Sequence, residues 1–371
     1  MSIKIGIPKE TAANERRVAL TPAVIAKLTK LGVALQLERG AGAASRIPDS
    51  AYQGVQIVDN AYAGADIVFK VQPPTLAEVN RLREGGVLFS FIYAHRAVEV
   101  VKALRDRKIT CFAMELVPRI SRAQALDALS SQATLAGYYG ALLGATQLAR
   151  ILPMMTTAVG SIRPAKTLVM GLGVAGLQAV ATARRLGSMV ESYDVRPETK
   201  EQAESLGAKF VDTGVDARGQ GGYARELTQE EKDKVAAVLT KHIQQADLII
   251  TTAAIPGRPS PKLINKAQVD GMKAGAVIVD LAAEGGGNCE YTKPGETIQI
   301  GNVTIVAPLN APSLLGEHAS ELYAKNLLNY VELIVKDGQL NLNWEDEVVA
   351  KGVLTHAGEI KNEAAKKAVE G

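Results

Sequence analysis

The stretch Thr167-Leu-Val-Met-Gly171-Leu-Gly173-Val-Ala-Gly176 reads as a strand, a tight glycine turn and the start of a helix. In that context each glycine has its own reason to be there. Gly171 permits the turn, Gly173 lets a pyrophosphate approach the backbone, and Gly176 lets the helix pack closely on the sheet. The helix start, with Val174 and Ala175 in its first turn, offers unpaired N–H groups to a phosphate. The next strand ends at Asp194, followed by Val195 and Arg196. A carboxylate there accepts from the adenosine-ribose hydroxyls and repels a 2′-phosphate, so the expected dinucleotide is NAD(H) rather than NADP(H). Arg196 could attract phosphate instead; the reading lays it over the adenine or ribose. The bland alternative is a glycine turn that only packs tightly.

A second string, Pro118-Arg119-Ile120-Ser121-Arg122-Ala-Gln124-Ala-Leu-Asp127-Ala-Leu-Ser130-Ser131, sets polar residues at three- and four-residue spacing on an otherwise apolar helix. Capping by Ser121 with surface pairs explains this. So does a polar face lining a cleft where a nicotinamide emerges. The segment from Asp212 to Leu227 is rich in glycine, includes Gly222, and carries one aromatic residue, Tyr223. It reads as a surface loop, either an inert linker or a lid that closes on nucleotide. Two further loops, one containing Ala254 and one containing Glu284, follow predicted strands. Ligands bind at the carboxyl ends of strands in open α/β sheets, so both are candidate cofactor loops.

These residues need a scaffold, and short β-branched runs alternating with helical stretches supply one. Strands are expected at Ile3–Ile7, Val33–Leu37, Ala65–Val71, Val87–Phe91 and Ile109–Ala113, with helices at Thr21–Leu31 and Val98–Arg107. One or two long helices should run from Ser121 to Leu152, ended by Pro153 and the small-residue stretch Thr156–Gly160. A second series begins at Thr167–Met170. It continues at Met189–Tyr193, Lys209–Val211, Leu248–Thr251, Ala276–Asp280 and Val303–Val306. A last helix, Ser320–Val335, returns to the first domain, and the Lys/Glu/Ala-rich tail beyond Gly352 is a weak helix or frayed. The expected architecture is α/β: two Rossmann-like domains with parallel sheets separated by a cleft, the second carrying the dinucleotide fingerprint. The first comprises 1–130 and 320–371, the second 131–319.

Composition narrows the function. The 371 residues are 47% hydrophobic and 22% charged, which excludes wholesale disorder. A net charge of +3 without a basic block, and only 4% aromatics, argue against nucleic acid. Cys111 and Cys289 lie far apart, and His95, His242, His318 and His356 form no HExxH-type cluster, so no metal site is expected. The N-terminus lacks a signal-peptide pattern. The most apolar window, Ala141 to Gly160, is broken by Gln147, Arg150 and Pro153, short of the roughly 20 apolar residues a membrane span requires.

The chain resembles the alanine dehydrogenase/transhydrogenase family, and within it the NAD(H)-binding component of proton-translocating NAD(P) transhydrogenase. The likeness rests on Pro8-Lys-Glu, Arg17-Val-Ala-Leu-Thr-Pro22, Lys70-Val-Gln-Pro, the Met114-Glu-Leu-Val-Pro-Arg-Ile-Ser-Arg-Ala-Gln string, Tyr-Asp194-Val-Arg after the glycine motif, Gly221-Gly-Tyr-Ala and Asp280-Leu-Ala-Ala-Glu. It implies that Arg119, Gln124, Asp127 and Ser130 surround the dihydronicotinamide and that Tyr223 belongs to a mobile loop. The expected cofactor contacts are then Ile120, Ser121, Gly171, Gly173, Val174, Ala175, Gly176, Asp194, Val195, Arg196, Gly222, Ala254 and Glu284.

Departures separate the relatives. Alanine dehydrogenases look to a lysine in Lys-Val-Lys-Glu-Pro and to a histidine soon after; here those positions hold Gln72 and Tyr93, with His95 two residues on. Oxidative deamination needs a proton acceptor and a cation for the carboxylate. Arg17 could supply the cation, but the other two groups are missing. Direct hydride transfer between two nicotinamide rings needs neither. The resemblance therefore implies a homodimer that binds NAD(H) and works with membrane-spanning and NADP(H)-binding subunits. It would be cytoplasmic, peripheral to the inner face of the cell membrane. A divergent amino-acid dehydrogenase and a non-catalytic NAD-binding regulatory subunit are the alternatives.

Overall fold

The computed structural model describes residues 2–216, 225–255 and 257–370. It divides into two compact units, one of residues 1–132 with 313–371 and one of residues 133–312.

The first unit is built on an eight-stranded sheet. Its order is Glu359–Ile360, Val353–His356, Thr110–Ala113, Val87–Ser90, Ile67–Phe69, Lys4–Ile7, Ala34–Glu38, Gln56–Val58. The six strands from the N-terminal part of the chain are parallel, and the order reverses direction at Lys4–Ile7, a doubly wound arrangement. Alternate residues serve opposite faces. Phe69, Phe89 and Phe112 join one apolar cluster, while Val68, Leu88 and Cys111 join another. Both faces are covered, which is why these strands are continuous apolar runs. The helix Gly316–Ile334 closes one face: Tyr330 lies 5.2 Å from the Phe89 ring and 5.1 Å from Phe112.

The second unit carries seven strands in the order Lys209–Phe210, Met189–Tyr193, Lys166–Met170, Leu248–Thr251, Val277–Asp280, Val303–Val306, Thr297–Ile300. Only Thr297–Ile300 is antiparallel. The strand order again reverses, here between Lys166–Met170 and Leu248–Thr251. That junction leaves a crevice at the carboxyl ends of the strands.

Three local expectations change. Of the one or two long helices expected from Ser121 to Leu152, one forms, and it begins after Asp127. A 3-10 segment, Ser121–Leu126, gives way at Asp127 to the α-helix Ala128–Gln147. The small-residue stretch after Pro153 forms a hairpin, Met155–Thr157 with Gly160–Ile162. The tail beyond Gly352 is neither frayed nor only helical. Val353–His356 adds antiparallel to Thr110–Ala113, Thr355 Oγ1 donates to Ile109 O at 2.8 Å, and Leu354 is fully buried. Its Lys/Glu/Ala-rich composition belongs mainly to the helix Glu363–Glu370 that follows. The short strands Gln56–Val58 and Thr297–Ile300 are not legible in the sequence, being edge strands of only three and four residues.

Because Leu354 is sealed in the first unit's core, Leu354→Ala should destabilise the protein by about 2–5 kcal/mol. Urea unfolding measures this. A loss below about 0.5 kcal/mol, the range for surface changes, would mean that the tail strand contributes nothing to the fold.

Candidate dinucleotide site

The glycine turn is built as its spacing predicts. Gly171 has φ +93°, a left-handed conformation that favours glycine. A Cβ on Gly176 would lie 1.8 Å from Gly171 O, so a side chain there would force turn and helix apart. A Cβ on Gly173 would meet nothing within 4 Å: the space beside the turn is open, as a backbone-bound pyrophosphate requires. The helix Val174–Arg185 starts at this turn, so Val174 and Ala175 sit in its first turn. Gly137, on the helix Ala128–Gln147, allows another close approach: a Cβ there would stand 2.0 Å from Ala175 O. In the sequence this helix shows only an abundance of small residues.

Asp194 is tied to the same turn. Its Oδ2 accepts from Leu172 N at 2.6 Å and from an Arg196 guanidinium N–H at 2.8 Å. Its Oδ1 accepts from Arg196 N and Nε, both at 2.9 Å. Arg196 is therefore folded back on Asp194. Val195 is half-buried against the apolar cluster beneath the sheet.

The other two loops are anchored by half-buried Thr252 and buried Asn288. Thr252 Oγ1 donates to Gly171 O at 2.9 Å. Ala253 N donates to Asn288 Oδ1 at 2.9 Å, and Asn288 Nδ2 donates to Ala253 O and Pro261 O, both at 2.8 Å. Asn288 thus joins the loop of Ala254 to the loop of Glu284. Ala254 is exposed; Glu284 is exposed too, its Oε1 accepting from Asn310 N at 2.7 Å. Thr252 and Asn288 do not stand out in the sequence. Their signal is a polar residue just past the end of a buried strand and a polar residue closing a glycine run. Gly222 and Tyr223 lie outside the described residues.

Arg119, Ile120, Ser121, Gln124, Asp127 and Ser130 all belong to the first unit. Asp127 is the helix cap. Its carboxylate accepts from Ser130 N at 2.9 Å and from Ser130 Oγ at 2.6 Å. Capping by Ser121 is therefore a correction: Ser121 opens a 3-10 segment that has no side-chain cap, and Asp127 reaches the N–H three residues on. Arg119, Ser121 and Gln124 are exposed, while Ile120 packs on the core. Arg122 is paired with Asp346 at 2.6 and 3.0 Å. The helix Gly316–Ile334 holds the segment from behind: Asn326 Nδ2 and Asn329 Nδ2 donate to Ala125 O at 2.8 and 3.0 Å.

Beneath this segment lies a buried charge network. Arg17 forks onto Glu15, Nε to Oε1 at 2.8 Å and Nη2 to Oε2 at 2.7 Å, and its Nη1 donates to Gln132 Oε1 at 2.9 Å. Gln72 Nε2 donates to Glu15 Oε2 at 2.7 Å. Lys70 Nζ lies 3.1 Å from Glu10 and 3.0 Å from Glu78. Burial opposes the Lys70 charge, but the two glutamates outweigh it and raise its pKa. Burial also pushes both carboxyls up; Lys70 and Thr75 overcome this at Glu78, while at the deeper Glu10 the rise persists. Tyr93 stacks on Phe91 and has φ +52°, its N–H held by Glu115. Burial pushes the Glu115 carboxyl up despite the backbone donors it accepts from. Among the described residues no group of three or more His, Cys, Asp or Glu could hold a metal ion.

Burial also pushes Glu15 up, yet the hydrogen bonds and charge of Arg17 bring it down to about 2. An unfolded glutamate titrates near ~4.3. Stability from a depressed carboxylate is complete above that value and is lost as pH falls toward the folded pKa. Glu15→Gln should therefore cost about 3–5 kcal/mol at neutral pH, the usual cost of removing one partner of a buried pair. The gap should narrow between about pH 5 and about pH 3. Urea midpoints at both pH values test this; a gap independent of pH would refute the assignment.

Similarity to known proteins covers both units. The family model of the alanine dehydrogenase/PNT N-terminal domain matches residues 6–136, and that of the C-terminal domain matches 140–363. An NAD(P) transhydrogenase alpha-subunit polypeptide of Rhodospirillum rubrum is 47% identical over 378 residues, spanning 98% of each chain. The alanine dehydrogenase of Mycobacterium tuberculosis is 31% identical, covering 97% of this chain and 95% of that one. Among solved structures, a transhydrogenase from Sinorhizobium meliloti superposes with a TM-score of 0.85 at 42% identity, over 97% of this chain and 99% of that one.

Proposed function

The chain belongs to the alanine dehydrogenase/PNT family, and from that premise we propose that it is the NAD(H)-binding component of a proton-translocating NAD(P) transhydrogenase. Hydride passes directly between its nicotinamide and that of NADP(H) on a partner subunit, NADH + NADP⁺ ⇌ NAD⁺ + NADPH. Proton passage belongs to membrane-spanning partner subunits, which keep this chain peripheral to the cytoplasmic face of the membrane. Among the described residues no helix is long and apolar enough to cross a membrane.

The observation that carries this reading is the state of the polar groups beneath the Arg119–Ser130 string. Amino-acid dehydrogenation needs a cation for the substrate carboxylate and a proton acceptor. Arg17 is 4% exposed and paired with Glu15, Lys70 is held between two glutamates, and Gln72 and Tyr93 stand where alanine dehydrogenases are expected to carry lysine and histidine. Ring-to-ring hydride transfer moves no proton, so it needs none of these. It needs a dry, oriented pair of rings.

Arg119, Gln124, Asp127 and Ser130 are assigned to the dihydronicotinamide end, with Asp127 and Ser130 already locked to each other as the helix cap. Tyr223 is assigned to nucleotide contact on the glycine-rich composition of its segment and on the resemblance. Gly171, Gly173, Val174, Ala175 and Gly176 are assigned to the pyrophosphate, and the loops of Ala254 and Glu284 to the remaining cofactor contacts.

The hairpin Met155–Thr157/Gly160–Ile162 supports a homodimer. Val159 is 98% exposed and Met154 69%, and an isolated two-stranded hairpin is marginal in water on its own. A second copy covering it accounts for both. Val159→Asp should weaken the dimer in sedimentation analysis; an unchanged association constant would place the interface elsewhere.

Gln124→Asn shortens an exposed amide by one methylene and should displace a bound ring by about 1 Å, costing roughly 100-fold in hydride transfer. NADH affinity should change little. Stopped-flow transfer from NADH to an NADP⁺ analogue, after reconstitution with the partner subunits, measures it. Wild-type rates in the variant would remove Gln124 from the site. Ammonia-dependent NADH oxidation with pyruvate would replace the transhydrogenase reading with the dehydrogenase one.

A further inference from the structure

Arg196 follows Asp194 by two residues and turns its guanidinium onto that carboxylate. A carboxylate offers about four lone-pair directions. At Asp194 all four are taken: Leu172 N and an Arg196 guanidinium N–H on Oδ2, Arg196 N and Nε on Oδ1. Two of these donors are backbone groups whose positions the fold determines. Leu172 sits inside the glycine turn, and the Arg196 carbonyl accepts from Thr199 N at 3.2 Å and Thr199 Oγ1 at 2.7 Å. The other two belong to the guanidinium, and ribose hydroxyls approaching Asp194 must replace them.

We infer that Arg196 is a latent 2′-phosphate-binding residue silenced by its bidentate pairing with Asp194. This pairing, together with the carboxylate's own repulsion, is what selects the unphosphorylated adenosine ribose. The inference rests on the proposed dinucleotide site. In the paired state the arginine's charge is cancelled and the fork that would grip a phosphate is used on Asp194. The pair is poorly hydrated, with side chains 17% and 6% exposed, so its attraction is only weakly screened. An incoming 2′-phosphate meets a site with no net positive charge. Ribose hydroxyls carry no charge and can exchange with the guanidinium, which then swings aside. Removing the carboxylate charge leaves the arginine beside the 2′ position with nothing to cancel it.

The test is equilibrium binding of NADH and NADPH by nucleotide fluorescence, with 5′-AMP and adenosine 2′,5′-bisphosphate as competitors for the adenosine end. The wild type should favour NADH and 5′-AMP. Asp194→Asn should lower the NADPH/NADH ratio of Kd values by at least about 10-fold, the equivalent of one charge-assisted hydrogen bond, and admit the bisphosphate. Asp194→Asn combined with Arg196→Gln should abolish that gain. Arg196→Gln alone keeps the carboxylate and should still exclude NADPH. An unshifted ratio in Asp194→Asn overturns the inference, as does a gain that persists without Arg196. A 10-fold loss of NADH affinity in Arg196→Gln also overturns it, because the arginine would then be a direct NADH ligand. If the wild type binds neither nucleotide, the proposed function fails instead, so the two failures are told apart.

Discussion

The second unit depends on a carboxylate with no exposed surface. Asp280 ends a central strand and accepts from Thr251 Oγ1, from the N–H groups of Ala282, Asn288 and Cys289, and from Thr292 Oγ1. A buried charge is tolerated only when its lone pairs are met this completely. Meeting them folds the glycine-rich loop of Glu284 around the carboxylate and aims Asn288 at Ala253. Thr252, the neighbour of Ala253, then holds Gly171 O, and that same oxygen forbids any side chain at Gly176. The open space at Gly173 is the far end of one hydrogen-bonded chain that starts at Asp280. A dinucleotide site needs this rigidity, because phosphate recognition by backbone N–H groups works only if they are already aimed.

The first unit solves a different problem with the same physics. Its polar string lies on a short 3-10 segment and a helix cap, elements with little intrinsic stability. Support comes from the returning helix Gly316–Ile334 through Asn326 and Asn329, and from Gln132, which joins Arg17 to Ala319 O. Glu15 and Arg17 extend this inward, and Ser313 Oγ ties Glu15 to the start of the returning segment by a 3.0 Å bond. The buried ions are thereby tied to the helix that follows the string and to the returning segment.

The glycine turn, the buried strands and Asp194 are legible in the sequence because each depends on near neighbours. Period-two apolar runs, a glycine forced to positive φ and a carboxylate at a strand end are local facts. The strands Met189–Tyr193, Leu248–Thr251 and Val303–Val306 coincide with their expected limits for that reason. Where local reading fails, it fails by competition. Ser121 is a good cap residue, but the chain turns too tightly there, and Asp127 takes the role where the α-helix begins. Val353–His356 reads as part of a charged tail because nothing within it says that Thr110–Ala113 lies open beside it.

Only the tertiary structure decided which polar groups meet. Asn288 reaches Ala253 across 35 positions, Arg17 reaches Gln132 across 115, and Val18 N reaches Ser320 across 302. No local pattern encodes such pairings, since each appears only after the sheets and a returning helix have taken the groups out of water. The folding back of Arg196 onto Asp194 is a case between the two. The residues are neighbours and their types are plain in the sequence. Whether the arginine would face a ligand or its own aspartate was set by burial, which leaves the carboxylate nearer and drier than the solvent.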